Sequence, residues 1–262
     1  MAIQEPKPSS PPTHYPKGDY SIVKYLDLTK FLSLISRKEL FFCRIDKLED
    51  QFEGRLPKPN YDLRVQFEKE LRDSGFLKVE MPDDKIIENV NKSYKFNEKI
   101  RSLTCVNCWN KKAEESAALW KIYSDFNKGI MIKSSIGSLL KAFEKTTQEL
   151  FLSEIRYLDY QNQVMPDGNS FYPIIHKNKA YSYEDELRLI YSITPPEGWD
   201  HDWTSEEVSE GLYIPVNLDA LIEEIVLSPY SPSWFHKLIQ DILVRYNMNK
   251  PLRKSTLSNP GL

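Results

Sequence analysis

Short stretches of alternating or clustered apolar residues recur along the chain and predict strands. Runs of four to eight residues that are rich in β-branched and aromatic side chains are typical of strands. The candidate strands are YSIVKYL (20–26), ELFFCRI (39–45), SLTCVNCW (102–109), IMIKSS (130–135), LFLSEIRYLDY (150–160), LRLIYSI (187–193), GLYIPV (211–216) and EIVLSP (224–229). They are interleaved with helices of unequal length, which suggests an α+β or mixed α/β class.

Apolar residues between these strands follow the spacing of amphipathic helices. Asp27 precedes Leu28, Phe31, Leu32 and Ile35, which predicts an N-capped helix after the first strand. SPSWFHKLIQDILVRYNM (231–248) carries the clearest helical stripe, for which Ser231 is the expected cap and Pro232 the expected first residue. Residues 58–100 carry scattered charges in helix-like pieces, and we interpret them as a helical insertion.

These patterns predict a single α+β domain over residues 19–262, with a mixed, mostly antiparallel sheet, flanking helices and the insertion at 58–100. Five prolines fall within the first 16 residues, so residues 1–18 are expected to form an extended, mobile tail.

The composition narrows the classes of function. Among 262 residues, 40% are apolar and the formal net charge is −3, so no global basic field indicates a nucleic acid or an anionic membrane as partner. No apolar leader and no run of about 20 apolar residues is present, and the three cysteines are too few for a disulfide framework. We therefore expect a cytoplasmic protein.

No common catalytic or metal-binding motif assigns a chemistry to the sequence. The CVNC at 105–108 lies in a strand-like run without further zinc ligands, and neither a Walker A nor a GxGxxG motif occurs. The acids of DKLEDQFEG (46–54) suit either a divalent cation or the geometry of a turn. No metal is predicted from these patterns.

The stretch YSYEDELRLIYSI (181–193) holds the strongest candidate chemistry. If it is extended, Glu184, Glu186 and Arg188 share one face, and Asp185 shares the other with the leucines. Arg188 would then keep one carboxylate ionised, while repulsion raises the pKa of the other, as acid–base catalysis requires. If it is helical, Glu184 and Arg188 form an ordinary surface pair at i, i+4. Both alternatives remain open at this point.

A group of aromatic side chains lies in CWNKKAEESAALWKIYS (108–124). Trp120 and Tyr123 share one face of the predicted helix, near Ser116. Such a face is typical of a core, and it is equally suited to stacking a flat ring such as nicotinamide or adenine.

Several short motifs together resemble a bacterial family classified as a domain of unknown function (number two-nine-seven-one). The resemblance covers about residues 20–260 and rests on DQFEG, CW…ES..(A)LW.IYS….GI.I.SS, RYLDY, HK….Y..E.ELR and IVLSP…W. The sequence departs from this pattern at Asn110, where the family usually has His, and at Asn178, where it usually has Arg. Membership would not by itself assign a chemistry.

The order of elements is also similar to that of ADP-ribosyltransferases. This likeness implies that Lys24, Tyr25, Ser116, Trp120 and Tyr123 bind NAD and that Glu184 and Glu186 form the catalytic E-x-E pair. It implies further that Glu186 stabilises the oxocarbenium-like cation and holds the ribose 2′-hydroxyl, that Glu184 positions or deprotonates the acceptor, and that Tyr123 stacks on nicotinamide.

The leading hypothesis is therefore a transferase that uses NAD or another nucleotide, with Arg188 beside the E-x-E pair. Two alternatives remain. One is a non-catalytic binding module that contacts a protein partner through residues 58–100. The other is a metal-dependent hydrolase or nuclease, which would need the acids at 46–53 and 184–186 within about 10 Å of each other, close enough to share metal ions.

Overall fold

A computed structural model describes residues 3–8, 10–75, 81–112, 114–193 and 210–258. The strands are β1 (Ile3–Gln4), β2 (Ser21–Leu26), β3 (Glu39–Arg44), β4 (Thr104–Asn110), β5 (Ile130–Ser135), β6 (Leu150–Glu154), β7 (Arg156–Leu158), β8 (His176–Asn178), β9 (Glu186–Ser192), β10 (Gly211–Pro215), β11 (Glu224–Leu227) and β12 (Leu252–Lys254). The helices are α1 (Leu28–Arg37), α2 (Lys58–Asp73), α3 (Asp83–Ser102), α4 (Ala117–Tyr123), α5 (Ile136–Ala142), α6 (Tyr172–Ile175), α7 (Leu218–Leu221) and α8 (Ser233–Arg245).

The α+β class is confirmed, with a mixed sheet in which most neighbours are antiparallel. Within the described residues, ten strands form the main sheet, in the order β1-β6-β9-β4-β2-β5-β11-β12, with β3 added to β4 and β10 to β3. The parallel pairs are β1–β6 and β11–β12, at the two ends of that order, and the separate ribbon β7–β8. None of the described helices is long and apolar enough to cross a membrane.

The apolar side chains on the two faces of the main sheet form separate clusters. One large apolar core contains residues such as Phe31, Trp109, Leu187 and Phe235. The other face carries two smaller apolar clusters, one around Val106 and Ile190 and one around Tyr25 and Trp120.

Several local predictions are confirmed. The side chain of Asp27 accepts a hydrogen bond from the backbone N–H of Lys30 and caps α1, which buries Phe31, Leu34 and Ile35. The insertion at 58–100 is a pair of helices, α2 and α3.

Two predictions differ from the structure. Within the N-terminal segment that was expected to form a mobile tail, Ile3 and Gln4 pair with β6, and Ile3 is buried in the core. Helix α8 begins at Ser233, with Pro232 as its N-cap residue, so the prediction that Ser231 caps it is wrong. The Ser231 hydroxyl instead donates to the carbonyl of Ser228 at 2.7 Å.

Candidate functional site

A fork in the main sheet creates a concave site among the described residues. One edge of β4 pairs with β9, and its other edge pairs with β2 at Asn110 and with β3 at Cys105 and Val106. Because β2 and β3 share this edge, they leave a gap between them. The Lys24 ammonium donates to the carbonyl of Cys108 across the gap, at 2.7 Å. A cavity of about 790 Å³ opens here.

The acidic stretch reaches this cavity through a change of backbone conformation. A 3₁₀ turn over Lys179–Glu184 ends at Asp185, which adopts the left-handed conformation (φ 45°), and β9 then begins at Glu186. Aspartate tolerates this conformation better than most residues. The turn ends just before β9, so both Glu184 and Glu186 become buried while Asp185 stays partly exposed. The stretch is therefore neither one strand nor one helix.

Five charged side chains form a buried network at the wall of the cavity, and none of them is more than 8% exposed. They are Glu53, Lys177, Glu184, Glu186 and Arg188. Buried charges are tolerated only when they are paired and hydrogen-bonded, which this network achieves.

Lys177 is the centre of this network. Its Nζ lies 2.6 Å from Glu184 Oε2, 2.8 Å from Glu53 Oε1 and 3.4 Å from Glu186 Oε2. One ammonium group therefore joins three carboxylates from two distant segments of the chain.

Arg188 is the second cation of the network and is fully buried. Its Nε donates to Glu186 Oε1 at 2.7 Å, and its Nη1 donates to the carbonyl of Ile174 at 2.7 Å. Its Nη2 lies 3.3 Å from Glu53 Oε2. This set of acceptors fixes the plane of the guanidinium and, through it, the orientation of Glu186.

The loop that carries Glu53 is held by the helical insertion. Arg101 of α3 is buried, and its Nε donates to the carbonyl of Glu53 at 2.7 Å. Gly54 follows with φ 73°, a conformation that suits glycine, and a side chain there would meet Arg101 at 3.0 Å. The insertion thus supports one wall of the network.

The two acids of the E-x-E pair have opposite pKa shifts. Burial raises the pKa of Glu184, and the charge of Glu186 adds to this effect against the opposing influence of Lys177. Burial also acts to raise the pKa of Glu186, but Arg188 and Lys177 overcome it and lower that pKa to about 2. Glu186 therefore stays ionised, while Glu184 is the group that can exchange a proton.

Tyrosines surround the carboxylates. The Tyr123 hydroxyl donates to Glu184 Oε1 at 2.5 Å, and the Tyr157 hydroxyl accepts from the backbone N–H of Glu186 at 2.9 Å. Lys177 Nζ lies 4.8 Å from the centroid of the Tyr181 ring. Tyr181 and its neighbour Tyr183 also line the cavity. The site thus combines fixed carboxylates with flat aromatic surfaces.

Most of the residues that the sequence predicted for the site meet at this cavity. Those that line it are Lys24, Tyr25, Tyr123, Glu184, Glu186 and Arg188. Trp120 and Ser116 do not line it. Trp120 is fully buried and packs edge-on against Tyr25 at 5.0 Å, while the side chain of Ser116 caps α4. Both residues contact Tyr25, which lines the cavity, since the Ser116 N–H donates to the Tyr25 hydroxyl at 3.0 Å and the Trp120 ring packs against the Tyr25 ring.

Sequence reasoning missed Lys177 as a member of the site and placed Glu53 near the E-x-E pair only in the metal-dependent alternative. Glu53 belongs to the acidic stretch 46–54, which turn geometry also explains. Lys177 lies in the HK motif, and nothing in the residues around it indicates contact with carboxylates. Asn110 departs from the family pattern and has a structural role, since its side-chain amide donates to the carbonyl of Glu184 at 2.7 Å.

The geometry bears on the metal-dependent alternative in two ways. Glu53 and the E-x-E pair do meet, as a shared metal site would require. The space between these carboxylates, however, holds the Lys177 ammonium, which contacts all three of them. Within the described ranges, no group of three or more His, Cys, Asp or Glu side chains is arranged to hold a metal ion.

Comparison with known proteins adds no assignment, because no protein-family model and no curated protein sequence matches the chain.

Proposed function

We propose that the protein binds NAD or a related nucleotide in the cavity at the fork and cleaves its glycosidic bond, transferring the ribosyl group to an acceptor. The observation that carries this proposal is the pair of neighbouring carboxylates, Glu184 and Glu186, with opposite pKa shifts at the wall of one aromatic-lined cavity.

Each carboxylate has a separate role in this reaction. The bond between ribose C1′ and the nicotinamide nitrogen breaks, and its electron pair leaves with nicotinamide, which becomes neutral. Positive charge then develops on the ribose, where the ionised Glu186 stabilises it. The acceptor O–H or N–H attacks C1′ and passes its proton to Glu184, whose raised pKa suits a general base. With water as the acceptor, the outcome is hydrolysis.

The network supports this assignment because it holds both acids rigidly. Glu186 is fixed by Arg188 and by the backbone contact with Tyr157, and Glu184 is fixed by Lys177 and Tyr123. Preorganised charge lowers a barrier without reorganisation during the reaction. The surrounding tyrosines offer surfaces on which an electron-poor ring such as nicotinamide can stack.

The test uses the full chain with NAD. Millimolar NAD should raise the melting temperature, and nicotinamide should be released in a time-dependent manner. Glu186→Gln should lower the rate of release by about 100-fold or more, because it removes the charge that stabilises the cation. Asp185→Asn is the matched control, since this neighbouring acid lies outside the cavity lining and should leave the rate unchanged.

The proposal fails if millimolar NAD neither raises the melting temperature nor releases nicotinamide. It also fails if Glu186→Gln, shown to be folded by its thermal melt, releases nicotinamide as fast as the wild type does.

A further inference from the structure

Lys24 differs from the two cations of the buried network. Its side chain lines the same cavity and is partly buried, and its Nζ donates to the carbonyl of Cys108. Lys177 and Arg188 each contact carboxylates directly. Among the described residues, no carboxylate oxygen lies within ion-pair distance of Lys24. Within the part of the chain that the structure describes, Lys24 is therefore a partly buried cation without a carboxylate partner, and its Nζ lies 5.8 Å from the centroid of the Trp109 ring.

Removing an ammonium group from water without an anionic partner is unfavourable, and an anionic ligand would supply that partner. Burying an ammonium without an anionic partner costs free energy, and charged side chains are rarely buried unpaired. Burial lowers the pKa of Lys24, and the like charge of Lys30 lowers it further. Glu186 lies close enough to act in the opposite direction, but its carboxylate oxygens are already bonded to Arg188 and Lys177. An anion in the cavity would remove this cost.

The neighbouring wall of the cavity offers further groups suited to an anion. Lys30, Thr29 and Ser33 of α1 line it, and the Lys30 side chain is 67% exposed and pairs only loosely with Asp27, at 3.3 Å. Next to them, the Ser33 hydroxyl lies 3.3 Å from the Tyr213 hydroxyl. The acids Glu39, Glu49 and Asp50 also line the cavity, so the positive region is local to Lys24 and Lys30.

We propose that Lys24, assisted by Lys30, binds a phosphate group of the ligand, so that the cavity accepts phosphorylated nucleotides and discriminates against nucleosides. The inference rests on the proposed function for the identity of the rest of the ligand. It deepens that function by naming the feature of the substrate that the protein recognises away from the reacting bond.

The experiment measures the binding of ADP, pyrophosphate and adenosine to the full chain by isothermal titration calorimetry. None of these ligands carries nicotinamide, so the result does not depend on bond cleavage. Wild type should bind ADP more tightly than adenosine. Lys24→Met should weaken ADP binding by about 10- to 100-fold, as expected when a charge-assisted hydrogen bond is lost. Adenosine binding should change little.

Three controls accompany Lys24→Met. Lys24→Arg keeps the charge and should retain most of the affinity for ADP. Lys47→Met makes the same change of charge at an exposed position outside the cavity lining and should have no effect. Thermal melts of all variants show whether a loss of binding reflects a loss of folding.

Three results would overturn the inference. The first is that wild type binds neither ADP nor pyrophosphate, and the second is that it binds adenosine as tightly as ADP. The third is that folded Lys24→Met binds ADP as tightly as wild type does. ADP binding that depends on Lys24, without release of nicotinamide from NAD, would leave the phosphate site standing and refute the proposed reaction.

Discussion

Strand β9 sends Leu187 and Leu189 into the large apolar core on one face of the sheet, and Glu186 and Arg188 into the charged network on the other. All four side chains are buried to a similar extent. The leucines need only close packing, which is non-directional. Glu186 and Arg188 need partners at defined positions, and those partners come from distant segments of the chain.

The two faces therefore respond differently to substitution. A truncated leucine leaves a cavity whose cost depends on how far the neighbours relax. A removed charge leaves its former partner buried and uncompensated, which is a cost that relaxation reduces little. The network holds three carboxylates and two cations, so loss of either cation increases its excess of negative charge.

The largest effect is expected from Arg188→Met. It leaves Glu186 and Glu53 without their guanidinium, and we expect a loss of about 3–5 kcal/mol in the free energy of unfolding, measured by urea denaturation. Leu189→Ala on the same strand should cost about 2–5 kcal/mol through packing alone. Adding Glu186→Gln should restore part of the loss in Arg188→Met, because it removes an uncompensated charge.

The same Glu186→Gln change should leave Leu189→Ala no more stable than before. If the two double variants behave alike, the distinction between the faces is wrong.

A smaller effect is expected in the dependence of stability on pH. The pKa of Glu186 falls from its usual 4.5 to about 2 in the folded protein, where burial is outweighed by Arg188 and Lys177. Between these values the unfolded chain binds a proton that the folded protein does not, so stability falls as the pH falls from about 4.5 towards about 2. Glu186→Gln removes this contribution, and its urea midpoint should vary less over this window.

Glu149→Gln is the control for this comparison, because Glu149 is exposed. Its pH profile should follow that of wild type. An unchanged acid limb in Glu186→Gln would show that other carboxylates cause the loss of stability.

The alternation on β9 could be predicted from sequence because it depends only on neighbours in the chain. A strand beginning at Glu186 necessarily separates Glu186 and Arg188 from Leu187 and Leu189. The Asp27 cap and the helical insertion were predictable for the same reason, since capping and amphipathic spacing are local properties.

The remaining parts of the site depend on contacts between distant segments. Nothing near Glu53 indicates that it meets Lys177 and Arg188, since its segment also has the composition of a turn. The burial of Ile3 depends in the same way on a strand, β6, that lies far along the chain. Trp120 was predicted to bind the cofactor, but it is fully buried in the core. The sequence does not distinguish the two roles, because an aromatic helix face suits a core and a ligand pocket equally well.

The smallest effect is expected from Asp185→Asn, at the residue between the two acids of the network. The Asp185 carboxylate is 39% exposed and lies 3.2 Å from Lys111 Nζ, so water screens the pair. Asparagine tolerates the left-handed conformation as well as aspartate does, and the carbonyl that accepts from the Lys111 N–H at 2.8 Å is unchanged. We expect a change of about 1 kcal/mol or less in the free energy of unfolding. A loss comparable to that of Arg188→Met would mean that the charged network extends to the surface, and that burial does not separate Asp185 from its two neighbours.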